Sequence, residues 1–254
     1  MDLPVWQVVY DELKDRNFEI FAVALDTGGK AAAEPHVRPT NLAERPEAAR
    51  KVTGWGESEW SRKAPPEYPC LLDEEHVVAE LYGMTNVPAA VWIDEEGRIV
   101  RPVEVPGFGD DWRWMHRETF ELPEDKAARQ QVYRRVYVDA LRDWVHKGEN
   151  SEYALPADEV RRKMRPPSED DARATNHFRL GRHLYSEGHL EAAKRHLQEA
   201  ARLSPEKWSY LRQSLSLDPE LVGQINVTPE FWEVFDAIGD TTYYESADLP
   251  GMPR

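Results

Sequence analysis

The stretch formed by residues 68–100 constrains the fold of this 254-residue chain more than any other part of its sequence. A short apolar run over residues 69–72 ends at Asp73, which is typical of a buried strand that stops at a loop, and Asp73 can cap a following helix. Over residues 74–82 apolar side chains recur every three or four positions, which predicts a short amphipathic helix that Gly83 ends. The residues on its apolar face are Val77, Val78, Leu81 and Tyr82.

A predicted β-hairpin follows this helix, and a proline precedes its first strand. Residues 89–94 are rich in β-branched and aromatic side chains, which favours a strand, and residues 95–97 form a tight turn into a second strand over residues 98–103. Pro88 cannot donate a hydrogen bond to a sheet, so it belongs at the first residue of a strand, where tight turns select the cis form. The whole stretch therefore predicts strand, helix, strand, turn and strand.

Two earlier segments extend this order of elements backward. Residues 3–14 predict a helix that carries Pro4 near its start, and residues 18–26 predict a buried strand. Together these elements resemble the thioredoxin fold, particularly the TlpA/ResA-type thiol-disulfide oxidoreductases and their redoxin (AhpC/TSA-related) relatives. The resemblance covers residues 1–107 apart from about residues 40–66, which are more than a crossover connection needs and are interpreted as an insertion.

The resemblance implies an α/β domain in which residues 18–26 form a central parallel strand, in the same sheet as the hairpin. It also implies that Val87 and Pro88 lie beside the backbone of a bound substrate, near the start of the first helix, and that thiol-disulfide exchange is the ancestral activity. Glu12 and Asp26 are candidates for perturbing proton transfer near such a redox site. Acids at such positions usually face water or cap the next element instead.

The chemistry of this family requires a Cys-x-x-Cys pair at the N-terminus of the first helix, where the helix dipole lowers the pKa of a thiol. Matching Pro4 to the family proline would put the second cysteine just ahead of Met1, so the pair is absent from this chain. Two interpretations stay open. Either a fuller protein carries the pair and the strand before it, or this chain has lost its redox centre and keeps the scaffold for binding. We expect something to shield the sheet edge that the absent strand leaves exposed.

Cys70, the single cysteine, does not replace that pair. It lies inside the apolar run at a strand position, whereas reactive cysteines need a helix start or nearby cations together with exposure. We expect a buried structural thiol; a mixed disulfide with a partner or a small thiol is the alternative, and no intramolecular disulfide can form. The sequence therefore predicts no catalytic residue and no cofactor.

The amino-acid composition limits the kinds of partner that we expect this chain to bind. The net charge of −15 argues against nonspecific nucleic-acid binding, which needs a basic surface. The mean hydropathy of −0.70 and the lack of a long apolar stretch predict no transmembrane helix in this chain. We therefore expect a protein or peptide partner, and a cytoplasmic location for the chain as it stands, or export or anchoring if an N-terminal segment is missing.

Residues 172–205 predict two antiparallel helices, because small and large apolar residues fall at repeat-type spacings. Gly181 would allow close approach of the helices, and Gly188 would make the turn. This segment resembles a tetratricopeptide repeat. One repeat cannot bury both its faces, so helices over residues 126–147 and 208–215 are expected beside it. The hairpin serves either this packing or the binding of a partner.

The histidines show no metal-ligand spacing. Those in and around this hairpin are separated by six, six and seven residues, so they are not expected to converge on one helical face, and no metal site is predicted. They are His177, His183, His189 and His196.

Four regions are expected along the chain. They are a thioredoxin-like domain over residues 1–107, a linker or loop over 108–125, a helical region over 126–215, and an acidic tail over 216–254 packed on the body. In the loop, Trp112 and Trp114 are expected to anchor on a core. The expected function is protein or peptide binding without redox turnover. The alternatives are an oxidoreductase whose Cys-x-x-Cys segment is missing from this sequence, and a tetratricopeptide-type scaffold protein.

Overall fold

A computed structural model describes residues 2–26, 28–37, 47–216 and 229–253. In chain order the helices are α1 (Leu3–Leu13), α2 (Gly29–Val37), α3 (Glu47–Thr53), α4 (Glu57–Ser61), α5 (Val77–Leu81), α6 (Glu124–Lys147), α7 (Ala157–Lys163), α8 (Glu169–Ser186), α9 (Leu190–Leu203), α10 (Trp208–Ser216) and α11 (Pro229–Ala237). The strands are β1 (Ala22–Ala24), β2 (Cys70–Leu72), β3 (Ala90–Ile93) and β4 (Ile99–Glu104). The chain is therefore a mixed α/β protein in which helices dominate.

Two compact units interleave along the sequence. The first comprises Met1–Asp73, Pro88–Lys163 and Thr242–Arg254, and the second comprises Glu74–Val87 and Met164–Thr241. Helix α6 therefore belongs to the same unit as α1, and α5 belongs to the same unit as the hairpin of α8 and α9.

The described strands form two separate pairs. β1 pairs with β2 in parallel, with Ala22 opposite Cys70, and β3 pairs with β4 in antiparallel fashion, with Trp92 opposite Arg101. The predicted hairpin and parallel strand are confirmed, but the expectation that both lie in one sheet is wrong for the described residues. β1 has only three residues and pairs on one side. No described strand covers its other edge, and the expectation that something shields this edge stays a prediction.

The core of the first unit forms around α1 and α6. Helix α1, which confirms the prediction for residues 3–14, buries Val5, Val9 and Leu13 at helical spacing. These side chains belong to one apolar cluster with Trp92 of β3 and Tyr137 of α6. The indole N–H of Trp92 donates to the Tyr137 hydroxyl at 2.7 Å, so both buried polar groups are satisfied.

Arg134 of α6 is a buried hydrogen-bonding centre in this unit. Its side chain is 3% exposed and donates to the carbonyls of Thr53 (3.0 Å) and Pro106 (2.9 Å) and to the Asp2 carboxylate (2.9 Å). Its guanidinium also lies 4.5 Å from the ring centroid of Trp55. Burial raises the pKa of Asp2, but the charges of Arg134 and the N-terminus and the hydrogen bond from Trp55 together outweigh burial, so the pKa lies below its ordinary value. One arginine therefore ties three distant chain segments together.

The connection from β1 to β2 is mostly helical. It contains α2, α3 and α4, while residues 38–46, where the insertion was expected to begin, lie outside the described residues. Helix α4 lies within the range expected for the insertion. It forms because Trp60, which is 8% exposed, packs into the core cluster.

The loop before α6 is anchored by one of its two predicted tryptophans. Trp112 is 7% exposed and packs against Tyr243 and Tyr244 at centroid distances of 5.0 and 5.7 Å, whereas Trp114 is 61% exposed. The Asp110 carboxylate accepts the backbone N–H of both tyrosines at 3.1 and 3.0 Å. This loop therefore holds the last segment of the chain.

The second unit is built on the hairpin of α8 and α9, which confirms the two predicted antiparallel helices. Gly188 adopts φ +80° at the turn, and a Cβ on Gly181 would lie 2.7 Å from the Leu197 side chain, so the two helices approach closely at that glycine. Ser168 and Asp171 form a reciprocal capping box at the start of α8.

Helix α5 differs from its prediction. It begins at Val77 rather than directly after Asp73, because His76 precedes it in the left-handed conformation (φ 56°). The predicted apolar face is also wrong, since Ala79 is the buried residue and Leu81 is 75% exposed. A five-residue helix is too short to bury a stripe.

Replacing Asp171 with asparagine should lower the stability of the second unit at neutral pH by about 1 to 2 kcal/mol. The backbone N–H of Ser168, then the hydroxyls of Ser168 and Ser204, donate to the carboxylate and hold the pKa of Asp171 well below its ordinary 3.8. A carboxyl whose pKa is lowered in the folded state stabilises the fold at pH values above its ordinary pKa. That stabilisation is lost as the pH falls below the ordinary pKa. In urea unfolding, the difference between wild type and Asp171→Asn should be constant near neutrality and shrink below about pH 4. A difference independent of pH would contradict this assignment.

Candidate functional site

Cys70 lies in β2, as predicted, but it is only half-buried. It forms no disulfide, and Sγ lies 3.6 Å from the carbonyl oxygen of Tyr68. The position is within a strand rather than at a helix start, so no helix dipole acts on this thiol. The expectation of a structural thiol in a strand agrees with this geometry, while full burial was wrong.

Glu12 and Asp26 are each engaged in local structure. The Glu12 carboxylate accepts two hydrogen bonds from Arg142 of α6, at 2.8 and 2.7 Å, on the surface of the first unit. Asp26 accepts the N–H of Gly28 with its side chain (2.8 Å) and that of Gly29 with its carbonyl (3.0 Å), so it precedes and caps α2. These partners fit the alternative roles of surface charge and cap.

Val87 and Pro88, the residues implied to contact substrate, follow a buried asparagine. The side chain of Asn86 accepts the N–H of Val87 at 2.9 Å, and the Val87 carbonyl accepts a hydrogen bond from Arg212 at 3.4 Å. Val87 is half-buried, and Pro88 is exposed. The Val87 backbone is therefore already engaged by its own unit.

The second unit contains a small cleft that sequence reasoning did not anticipate. It lies between the segment around α5 and the helices α8 and α10. Aromatic rings form much of its lining: Phe178 and Tyr210 stack at a centroid distance of 4.5 Å, and His76 meets Phe178 edge-on at 5.0 Å. Phe178, Tyr210 and His76 are only 3%, 7% and 7% exposed, so their rings form a buried apolar floor of the cleft.

Charges of both signs surround these rings. Arg179 donates to both carboxylate oxygens of Glu80 at 2.7 to 3.1 Å, and both side chains are partly exposed. The Lys207 ammonium lies 5.2 Å from the ring centroid of Tyr210 and 3.9 Å from the Asp171 carboxylate. Donors and an acceptor next to apolar rings are what an extended peptide segment needs, since it presents backbone polar groups and side chains together.

Two histidines of the hairpin are brought together across the helices. The Nδ1 atoms of His177 and His196 lie 2.9 Å apart. The expectation about the hairpin histidines concerned one helical face, and it did not consider this pair, whose members lie on different helices. Among the described residues, no group of three or more His, Cys, Asp or Glu side chains could hold a metal ion.

Comparison with protein-family models, with curated proteins and with solved structures found no match to this chain. No helix in the described ranges is long and apolar enough to cross a membrane. The residues and geometry of the chain itself are therefore the basis for a proposal of function.

Proposed function

We propose that this chain is a non-catalytic binding protein, of TlpA/ResA-like thioredoxin ancestry, that holds a peptide segment of a partner protein in the cleft of its second unit. The observation that carries this proposal is the cleft itself, in which Phe178 and Tyr210 stack beside the charged pair of Arg179 and Glu80. The hairpin, for which partner binding was one of two expected roles, contributes Phe178 and Arg179 to its lining.

Redox incompetence is supported by the placement of the thiol. Cys70 lies in a strand with Sγ beside a carbonyl oxygen, and α1 begins at Leu3 with Pro4 and no cysteine. Reactive cysteines typically lie at a helix N-terminus or beside cations, and a strand position does not provide the first of these features. Kinship with thioredoxin-like proteins is supported by the order of α1, the parallel strand and the β3–β4 hairpin, whereas the two separate sheets count against it.

A second candidate is an oxidoreductase whose Cys-x-x-Cys segment precedes Leu3. The edge of β1 that no described strand covers favours it, because a strand ahead of α1 could pair there. Codons for Cys-x-x-Cys, in frame just upstream of the present start, would support this candidate, and the extended chain should then reduce insulin disulfides. If these codons are absent, the binding function stays as the proposal.

Peptide selection on the full chain tests the binding proposal. Peptides selected from a random library should bind Arg179→Ala and Lys207→Glu about tenfold more weakly or worse, because both variants alter the charges beside the aromatic rings. Affinity can be measured by fluorescence anisotropy.

Control variants show whether the peptide binds in the cleft or at another surface. Arg202, like Arg179, is an exposed arginine of the hairpin that donates to both carboxylate oxygens of a glutamate, here Glu199 (both 2.7 Å), so Arg202→Ala should bind as the wild type does. Pro88→Ala and Cys70→Ser should also leave affinity unchanged. Weaker binding by Arg202→Ala alone would favour a scaffold that recruits its partner through another face of the hairpin.

A further inference from the structure

His177 of α8 and His196 of α9 face each other across the hairpin. Their Nδ1 atoms are 2.9 Å apart, and their ring centroids are 5.1 Å apart with an interplanar angle of 31°. Both side chains are half-buried, so one side of the pair remains open to water. The Nδ1 atoms of the two rings, one from each helix, thus face each other.

The short distance restricts the protons that this pair can hold. A hydrogen bond between two imidazole nitrogens needs one N–H donor and one unprotonated acceptor. A proton on both Nδ1 atoms would set two donors against each other. The pair therefore shares one proton, and the ring lone pairs converge where that proton lies.

We propose that His177 and His196 form a binding site for one divalent transition-metal ion, which takes the place of the shared proton and releases it to water. Two nitrogens each at about 2.0 to 2.1 Å from a tetrahedral zinc ion lie about 3.3 Å from one another. The rings need to separate by only about 0.4 Å to reach that spacing. Water completes the coordination, and imidazole ligands suit copper, nickel and zinc.

Charges of both signs lie near the pair. Glu199, one turn beyond His196, has a pKa lowered first by its hydrogen bond from Arg202 and further by the charges of Arg202 and Arg173. A bound cation is therefore held by the two imidazoles and not by this carboxylate. Because Arg202 holds both carboxylate oxygens at 2.7 Å, Glu199 acts as a neighbouring charge and not as a ligand.

Titration of the full chain with Cu²⁺, Ni²⁺ and Zn²⁺ tests the proposal, by calorimetry and by the ligand-field absorption of the copper complex. We expect one ion per chain at this site and a rise in the unfolding temperature, because the ion cross-links α8 to α9 in the folded state only. His177→Ala and His196→Ala should each weaken binding at least tenfold and abolish the rise.

His183→Ala and His189→Ala are the controls, since they remove histidines of the same hairpin and should bind as the wild type does. The variants His177→Asn and His196→Asn keep a polar side chain at each position. A far-UV circular dichroism spectrum like that of the wild type shows that a loss of binding in these variants is not caused by a loss of folding. No binding by the folded wild type, or equal binding by the wild type and both alanine variants, would overturn the assignment. The outcome does not depend on whether the cleft binds peptide.

Discussion

Replacing Gly54 with alanine should destabilise the first unit by about 4 kcal/mol or more, enough to unfold much of it at room temperature. Gly54 has φ +73°, and a Cβ at this position would lie 2.2 Å from the carbonyl oxygen of Gln130 and 2.6 Å from its carbonyl carbon. Those atoms belong to the backbone of α6, which cannot move aside as a flexible side chain can. Urea unfolding followed by circular dichroism measures the loss.

The variant Gly97→Ala distinguishes the steric clash at Gly54 from the strain of a left-handed backbone. Gly97 has nearly the same φ, +76°, but no atom lies within 4 Å of an added Cβ. Only the left-handed conformation then opposes alanine, at about 1 to 2 kcal/mol. Equal losses for the two variants would show that the approach of Gly54 to α6 does not decide stability.

Replacing Arg134 with methionine should cost about 3 to 5 kcal/mol, because it leaves the Asp2 carboxylate buried without its counter-charge. The carbonyls of Thr53 and Pro106 lose their donor in the same variant, at 3.0 and 2.9 Å. The same urea unfolding measures this change. Asp2→Asn combined with Arg134→Met should recover part of the loss, since no unpaired charge then remains buried.

Arg142→Met is the matched control in the same helix. Arg142 also pairs with a carboxylate from α1, that of Glu12, but its side chain is 28% exposed and that of Glu12 is 42% exposed. Water screens such a pair, so its removal should cost at most about 1 kcal/mol. If Arg142→Met cost as much as Arg134→Met, burial could not be the reason that the Arg134 pair stabilises the fold.

Local patterns in the sequence predicted local structure well. The β3–β4 hairpin follows from a run of β-branched and aromatic residues and a turn closed by Gly97. The hairpin of α8 and α9 follows from small residues such as Gly181 at helical spacing, with Gly188 between the helices. In each case neighbours in sequence are also neighbours in space.

Pairing between distant segments could not be predicted in the same way. Whether β1 and β3 share a sheet depends on which strand lies between them, and no residue in either strand encodes that choice. The left-handed His76 also breaks the helical pattern before α5, and only its burial against Phe178 explains it. In the sequence His76 directly follows three acids, and that pattern does not indicate a buried left-handed residue.

The polar centres of the structure depend on tertiary contacts. Arg134 falls in a helix with many charged residues, and nothing in the sequence distinguishes it from the exposed Arg142 of the same helix. His177 and His196 are nineteen residues apart on different helices, so a search for ligand spacing along one helix cannot find them. Predicting these pairs requires the packing geometry itself.

The most direct test of the central claim is amide hydrogen exchange of the full chain with and without a selected peptide. The peptide should slow exchange in residues 74–87 and in α8 and α10, and it should do so equally in the Cys70→Ser variant. Slowed exchange confined to the start of α1 and the β3–β4 hairpin would contradict binding in the cleft. So would loss of the effect in Cys70→Ser.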